Sequence, residues 1–303
     1  MSLTSNFKDV LAKENIEALY DEPMCGYTSY KIGGNADCIV FPNGAAQIKK
    51  VIALCKAQNT AYTVIGAGSN LLVSDDGYRG VVIACTKNLR KLEVEDTQIC
   101  VGAGVLLSRV AQTAADHALT GMEPISGIFG TVGGSVAMNA GAYGGEMSQV
   151  VKYVRLFDGN EIRNVPAEEM KFGYRHSLAM DQQAVVLGAA FSLETGDKGE
   201  IEAKMKDFAQ RRRDKQPLEY PSAGSFFKRP AGHFAGALIE QSNLKGVSCG
   251  GAQVSEKHAG FLINTGNATA SDFLNLMEKV QTEVYNNFQV HLENEVRIVG
   301  NDE

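Results

Sequence analysis

The sequence predicts a mixed helix-and-strand protein, built as two domains or as one large α/β unit. Three observations carry that expectation. The chain has 303 residues, 44% of them hydrophobic and 21% charged, which is ordinary for a globular protein and enough to bury a large core. Apolar residues recur at helical spacing in some segments and as short unbroken runs in others. A polar segment, "ETGDKGE" at 194–200, interrupts the pattern and marks a domain boundary.

Residues 44–58, "GAAQIKKVIALCKAQ", place Ile48, Val51, Ile52 and Cys55 on one helical stripe. "AYTVIG" at 61–66 and "GVVIAC" at 80–85 read as short buried strands, and "KLEVED" and "QICVGAG" as a hairpin around Asp96 and Thr97. Helical spacing returns over 105–118 with Leu106, Leu107, Val110, Ala111 and Ala114. A glycine-rich stretch follows at 127–146, then strands near 151–157 and 185–193. Beyond the polar break, "EIEAKMKDFAQRRRDK" is a helix with Ile201, Met205 and Phe208 inward; its basic end, Arg211 to Arg213, suits the helix macrodipole. "HFAGALIEQSNLKG" reads as a helix capped by Gly246. "SDFLNLMEKVQTEVYNNF", 271–288, takes Ser271 as N-cap and Phe273, Leu276, Met277, Val280 and Val284 as its apolar stripe, and "VHLENEVRIVG" reads as a closing strand.

A net charge of −6 supplies no global basic field, which argues against a nucleic-acid binder that works by phosphate neutralisation. The six cysteines form no C-x-x-C pair and most lie in apolar runs, so reduced buried thiols are expected. The five histidines show no metal-ligand spacing, and no metal site is expected. "MSLTSNFKDVLAKENIE" lacks the pattern of a secretory signal, and no apolar run approaches the ~20 residues that span a bilayer. The expected location is the cytoplasm, without membrane insertion; an oligomeric state is not legible.

Glycine, at 32 residues, is in excess, and two segments concentrate it. "VIGAGSNLLVSDDG", 64–77, begins like a dinucleotide fingerprint, because Gly66 and Gly68 follow a strand. The third glycine is missing, since position 71 is Leu71, and "LLVSDDG" reads as a strand and turn where a helix is required. Gly66 and Gly68 with Ser69 and Asn70 still offer N–H groups to an anionic diphosphate; an ordinary tight turn is the alternative. "GIFGTVGGSVAMNAGAYGGE", 127–146, repeats that chemistry, with Gly133, Gly134, Ser135, Gly144 and Gly145 letting a flat ligand approach the main chain. Two such cradles suggest one extended cofactor with a diphosphate and a planar ring, either FAD or a simpler nucleotide.

Single residues say less. Arg175 in "FGYRHS" has the bland alternative of a solvated surface charge. Ser225 in "SAGSFFKRP" is not in a G-x-S-x-G elbow, so a hydrolase is disfavoured. Glu293 and Glu295 share one face if the terminal segment is a strand, and solvated carboxylates are the default there.

In combination the motifs are far more specific. "YKIGGNAD", "VIGAGSNLLVSDDG", "GTVGGSVAMNAGAYGGE", "FGYRHS", "PSAGSFFKRP", "GGAQVSEKHAGFLIN" and "LENEVRIVG" occur in the order seen in the MurB family of flavin reductases. The resemblance runs from about residue 27 to 300. It implies an α+β fold with an FAD-binding region of vanillyl-alcohol-oxidase (PCMH) type over 1–196, in two subdomains split near 85. An α+β substrate-binding domain would follow over 197–303. It also implies NADPH as co-substrate and UDP-N-acetylglucosamine enolpyruvate as the molecule reduced, for peptidoglycan precursors. The chain looks like the shorter of the family's two forms.

Motif by motif, the resemblance marks Gly66, Ala67, Gly68, Ser69 and Asn70, then Ser126, Gly127, Gly130, Gly133, Gly134, Asn139, Gly141 and Ala142, as cofactor-binding. Arg175 and Glu295 match positions that stabilise an enolate, and Ser225 matches the proton donor. Tyr174, Lys215, Arg229 and Gln253 match substrate contacts. A flavin oxidase of an alcohol or hydroxy acid, and a non-catalytic flavin-binding protein, stay as alternatives. Where the family usually reads Ile-Pro-Gly, this chain has Ile128-Phe129-Gly130, which frees a fixed φ and adds a ring that packs on cofactor or core, or loosens the loop.

Overall fold

A computed structural model describes residues 3–300. The chain divides into two compact units: the described part of 1–20 with 37–67 and 80–210, and 21–36 with 68–79 and the described part of 211–303. The second unit therefore draws on two N-terminal excursions, and its C-terminal portion starts inside the helix Lys198–Lys215 and not at the polar break. One excursion has a clear cause. Strand Leu71–Val73 pairs in parallel with Arg297–Val299, Leu71 opposite Arg297, and Leu72 is fully buried in the second unit's core.

The first unit has two hydrophobic cores. One gathers Phe7, Leu11, Cys38, Val40, Ile48, Val51, Ile52, Cys55, Val81 and Ile83, beneath a four-stranded sheet in the order 17–23, 35–41, 78–84, 62–65. Helix Ala45–Ala57 buries Ile48, Val51, Ile52 and Cys55, the stripe expected from its sequence. The other core runs from Ile99 to Leu193, against a five-stranded antiparallel sheet ordered 162–166, 151–157, 185–192, 98–102, 92–95. Asp96, with φ 50°, turns the expected hairpin. Helix Leu107–Asp116 starts two residues later than its pattern suggested: Leu106 is the extended N-cap residue and 43% exposed, so it leaves the apolar stripe. None of the six cysteines is in a disulfide; Cys38, Cys55 and Cys85 are buried, and burial pushes each of their thiols up to about 12.

The second unit packs Tyr30, Leu72, Phe226, Phe273, Leu276 and Val280 around helix Ala270–Phe288 and a three-stranded antiparallel sheet, 248–249, 252–254, 262–264. Three local expectations are corrected here. Thr269, not Ser271, caps the long helix, in a reciprocal box with Asp272. Ser271 is inside the first turn, where its N–H and hydroxyl, and the N–H of Ala270, donate to Asp75 at 2.7–2.9 Å. Partial burial pushes the Asp75 carboxyl up, but these bonds outweigh it and hold it below the usual range. The helix Ala235–Gln241 stops at Ser242, well short of Gly246, because Asn243 already takes the left-handed conformation at φ 56°. The closing strand shrinks to Arg297–Val299, which leaves Glu293 and Glu295 outside it, on either side of a single bridge between Asn294 and Phe227. Among the described residues no helix is long and apolar enough to cross a membrane.

Candidate functional site

In the first unit, Gly66 follows the strand Tyr62–Ile65 and has no room for a side chain, since a Cβ there would collide with the Thr131 hydroxyl. Thr131 is the N-cap residue of the six-residue helix Val132–Ala137, extended at φ −93° and ψ 158°, yet its side chain caps nothing. It is 1% exposed, and Oγ1 has no hydrogen-bond partner among the described residues. Burying a hydroxyl unsatisfied costs ~1–3 kcal/mol, so this group calls for a partner that the described residues do not supply. Gly133 lets this helix sit flush, as its Cβ would fall 2.9 Å from that of Ala103. Gly134 is exposed, and a Cβ on it would meet only Thr131 Oγ1, at 3.8 Å. Gly66, Thr131 and Gly134 thus present bare main chain around one buried donor.

Other expected cofactor residues in this unit are engaged differently. The Ser126 hydroxyl donates to Glu123 O at 2.7 Å. Glu123, buried, accepts from Thr120 Oγ1 and Gly121 N, both at 2.6 Å, and these bonds with the Lys204 charge outweigh desolvation and lower its pKa. Gly141 and Ala142 pair with Glu146 and Gly145 across a turn at Tyr143 and Gly144, both at positive φ. The Tyr143 ring stacks on Phe208 with centroids 5.0 Å apart. Phe129 is 72% exposed, which rules out the packed-core option for the residue that replaces proline.

Arg175 belongs to the same unit and adopts the left-handed conformation at φ 57°. It occupies a tight turn closed by Gly173 N to His176 O at 3.1 Å and His176 N to Gly173 O at 3.2 Å. Its guanidinium lies 5.0 Å from the Tyr174 ring, and Nη2 donates to Gly141 O at 3.5 Å. The Asn139 side chain is buried, with Nδ2 donating to Gly173 O and Glu146 Oε1 at 3.0 and 3.1 Å, and Oδ1 accepting from Ser148 N at 2.9 Å. Both amide hydrogens are therefore spent inside the protein. His176 contacts Lys171 O through Nδ1 and Asp181 Oδ1 through Nε2, at 3.1 and 2.7 Å, and the Asp181 bond leads the causes that raise its pKa.

The second unit brings three expected residues together. Gly224, at φ 77°, turns the chain into Ser225, which is half-buried beside fully buried Phe226. Glu295 N donates to Phe226 O at 2.8 Å, and Lys228 N to Glu293 O at 2.8 Å, so the Ser225 and Glu295 segments run side by side. Asn70 Nδ2 donates to Glu295 O at 3.0 Å, and Arg297 N to Asn70 O at 3.0 Å. Gly68, at φ 62°, accepts from Ser29 N, and a Cβ there would strike Tyr27 O. Of the substrate candidates, Lys215 is exposed, Arg229 lies 4.4 Å over the exposed Phe234 ring, and Gln253 Nε2 donates to Gly246 O and Ser248 Oγ. Sequence reasoning missed Thr131. Its signal was a threonine directly before a helix, at the N-cap position, whose side chain makes no capping bond.

Comparison with known proteins finds relatives along nearly the whole chain. Residues 36–162 match a family described as an FAD binding domain, and residues 216–299 match the C-terminal domain of UDP-N-acetylenolpyruvoylglucosamine reductase. Among similar proteins, the UDP-N-acetylenolpyruvoylglucosamine reductases of Caldanaerobacter subterraneus and Clostridium novyi are each 48% identical, over 98% and 100% of this chain and 98% of each relative. A crystal structure of that reductase from Thermus caldophilus superposes with a TM-score of 0.78 at 34% identity, covering 94% of this chain and 98% of that one.

Proposed function

The chain belongs to the family of UDP-N-acetylenolpyruvoylglucosamine reductases, and from that premise we propose how its residues divide the chemistry. It is an FAD-dependent oxidoreductase that uses NADPH to convert UDP-N-acetylglucosamine enolpyruvate to UDP-N-acetylmuramate, a peptidoglycan precursor. Its kinship with reductases along its whole length displaces the oxidase alternative.

The residues fit FAD: a hydroxyl without a partner and the bare glycines beside it suit a long ligand rich in acceptor oxygens. Gly66, Ala67, Gly68, Ser69 and Asn70, with Gly127, Gly130, Gly133, Gly134, Gly141 and Ala142, would hold it, and Thr131 would give it the buried donor. When bound, FAD supplies the two-electron chemistry that couples NADPH oxidation to reduction of the enolpyruvyl double bond.

The remaining work falls to side chains. Reduction at C3 builds negative charge on C2 and its carboxylate. Arg175 pairs with that carboxylate, and Glu295, protonated in the complex, shares the developing charge; donors fixed beforehand act most strongly. Ser225 delivers the proton to C2. A serine hydroxyl is a weak acid, but an enolate carbon is basic enough to take its proton. Lys215 and Arg229 supply cations for the substrate diphosphate, and Tyr174 and Gln253 add contacts.

The observation that supports these roles best is the 2.8 Å bond from Glu295 N to Phe226 O, which sets the proposed acid and proton donor on adjacent strands of chain. The test follows the two half-reactions separately. Ser225→Ala should leave reduction of the flavin by NADPH intact and slow its reoxidation by the enolpyruvyl sugar nucleotide. Equal slowing of both would remove the proton-donor role, and absence of bindable flavin would remove the whole reading.

A further inference from the structure

The turn that carries Arg175 is closed by its own two main-chain bonds between Gly173 and His176, but its place in the unit is fixed from outside. Arginine in the left-handed region is strained, and a strained residue persists only where its surroundings over-determine it. Besides the His176 contacts with Lys171 and Asp181, three ties link the turn to the stretch 137–141. Ser177 Oγ, fully buried, donates to Ala137 O at 2.7 Å. The Asn139 amide donates to Gly173 O at 3.0 Å. Gly141 O accepts from the Arg175 guanidinium itself. Asn139 is in turn locked by Glu146 Oε1 and Ser148 N, and Ser148 Oγ donates to the same Glu146 oxygen at 2.5 Å.

We propose that Asn139 is a positioning residue for Arg175: its buried amide clamps the 173–176 turn and so aims the guanidinium, in place of the cofactor contact its motif suggested. The idea rests on the role given to Arg175 above. The geometry explains why an amide is wanted at this position. Only a side chain with two donors and an acceptor can bind Gly173 O, Glu146 and Ser148 N together. A carboxylate would lose both donors and face Glu146 charge to charge, and a shorter polar side chain has too few groups.

The experiment compares Asn139→Ala, Arg175→Ala and the double variant. Asn139→Ala should retain flavin and its reduction by NADPH while slowing reoxidation by the enolpyruvyl sugar nucleotide roughly 10- to 100-fold, the scale of a misplaced catalytic group. Most of that loss should fall on kcat, with KM nearly unchanged. In the Arg175→Ala background the same substitution should add less than about twofold, because residues acting through one group are not additive. Hydrogen exchange over 173–177 should speed up in Asn139→Ala without any ligand. Additive losses in the double variant, or faster exchange with unchanged reoxidation, would overturn the proposal. An Arg175→Ala enzyme that reoxidises normally would instead overturn the role of Arg175, so the two failures are told apart. If Asn139→Ala does not fold, Ser177→Ala removes a second tie to the same turn and must show the same non-additivity for the proposal to stand.

Discussion

Two regions carry the proposed chemistry, and they are held in opposite ways. Around Ser225 and Glu295, the segments are laced by main-chain bonds: Glu295 N to Phe226 O, Phe226 N to Gly260 O, and Lys228 N to Glu293 O. Around Arg175 two main-chain bonds close the turn, but the ties that fix it to its surroundings are side chains, namely Asn139, Ser177 and His176. Main-chain bonds survive substitution of the residues that make them. Side-chain ties do not, so the Arg175 region concentrates its sensitivity in residues that need touch no substrate.

That contrast orders the expected effects. Removing the proton donor itself, in Ser225→Ala, should be the most severe, about 10²- to 10⁴-fold in flavin reoxidation, with melting temperature nearly unchanged because the loop keeps its main-chain bonds. Asn139→Ala comes next, as set out above. Thr131→Val should weaken FAD binding about tenfold, near 1.4 kcal/mol. The flavin-free protein should be no less stable, because the change deletes a buried hydroxyl without a partner. A fluorescence titration and a thermal melt of the flavin-free form would check this; a destabilised protein with unchanged affinity would sink it.

Smaller still is the His176 clamp. Its pKa is raised above 6.5 in the fold, first by the Asp181 bond and then by Lys171 O. The clamp is therefore complete below about pH 6.5 and is lost as pH rises through the higher folded value. A ring-proton NMR titration should show the elevated pKa, and Asp181→Asn should lower it. Smallest of all is Glu293→Gln, which breaks the exposed Lys228–Glu293 pair at 3.2 Å. It should change stability by less than about 0.5 kcal/mol and leave the rates alone. A larger loss there would mean that side chains hold the Ser225 region after all.

Much of this was legible along the chain. The stripe Ile48, Val51, Ile52 and Cys55 follows from helical period, and the Asp96 hairpin from alternating runs around a turn. Some ends followed from local pattern, as in the strand Val151–Phe157, but others slipped. Ser271 looked like a cap because it precedes an apolar stripe, whereas Thr269 starts the helix and Asp75, nearly two hundred residues away, completes its first turn. Glu293 and Glu295 looked like members of the closing strand, but that strand is Arg297–Val299 against Leu71–Val73, and the two glutamates instead flank a single bridge between Asn294 and Phe227.

The sequence by itself determined the residue types available, the periodic elements and, through the order of its motifs, the family. Only the tertiary structure decided which polar groups are spent and which remain. Asn139 and Thr131 lie eight residues apart in one glycine-rich stretch, and both are 1% exposed. One has both amide hydrogens consumed by Glu146 and Gly173, and the other has a hydroxyl with no partner. The physical reason is that hydrogen-bond satisfaction depends on groups brought in from distant segments, and nothing in the local pattern of a sequence records who arrives.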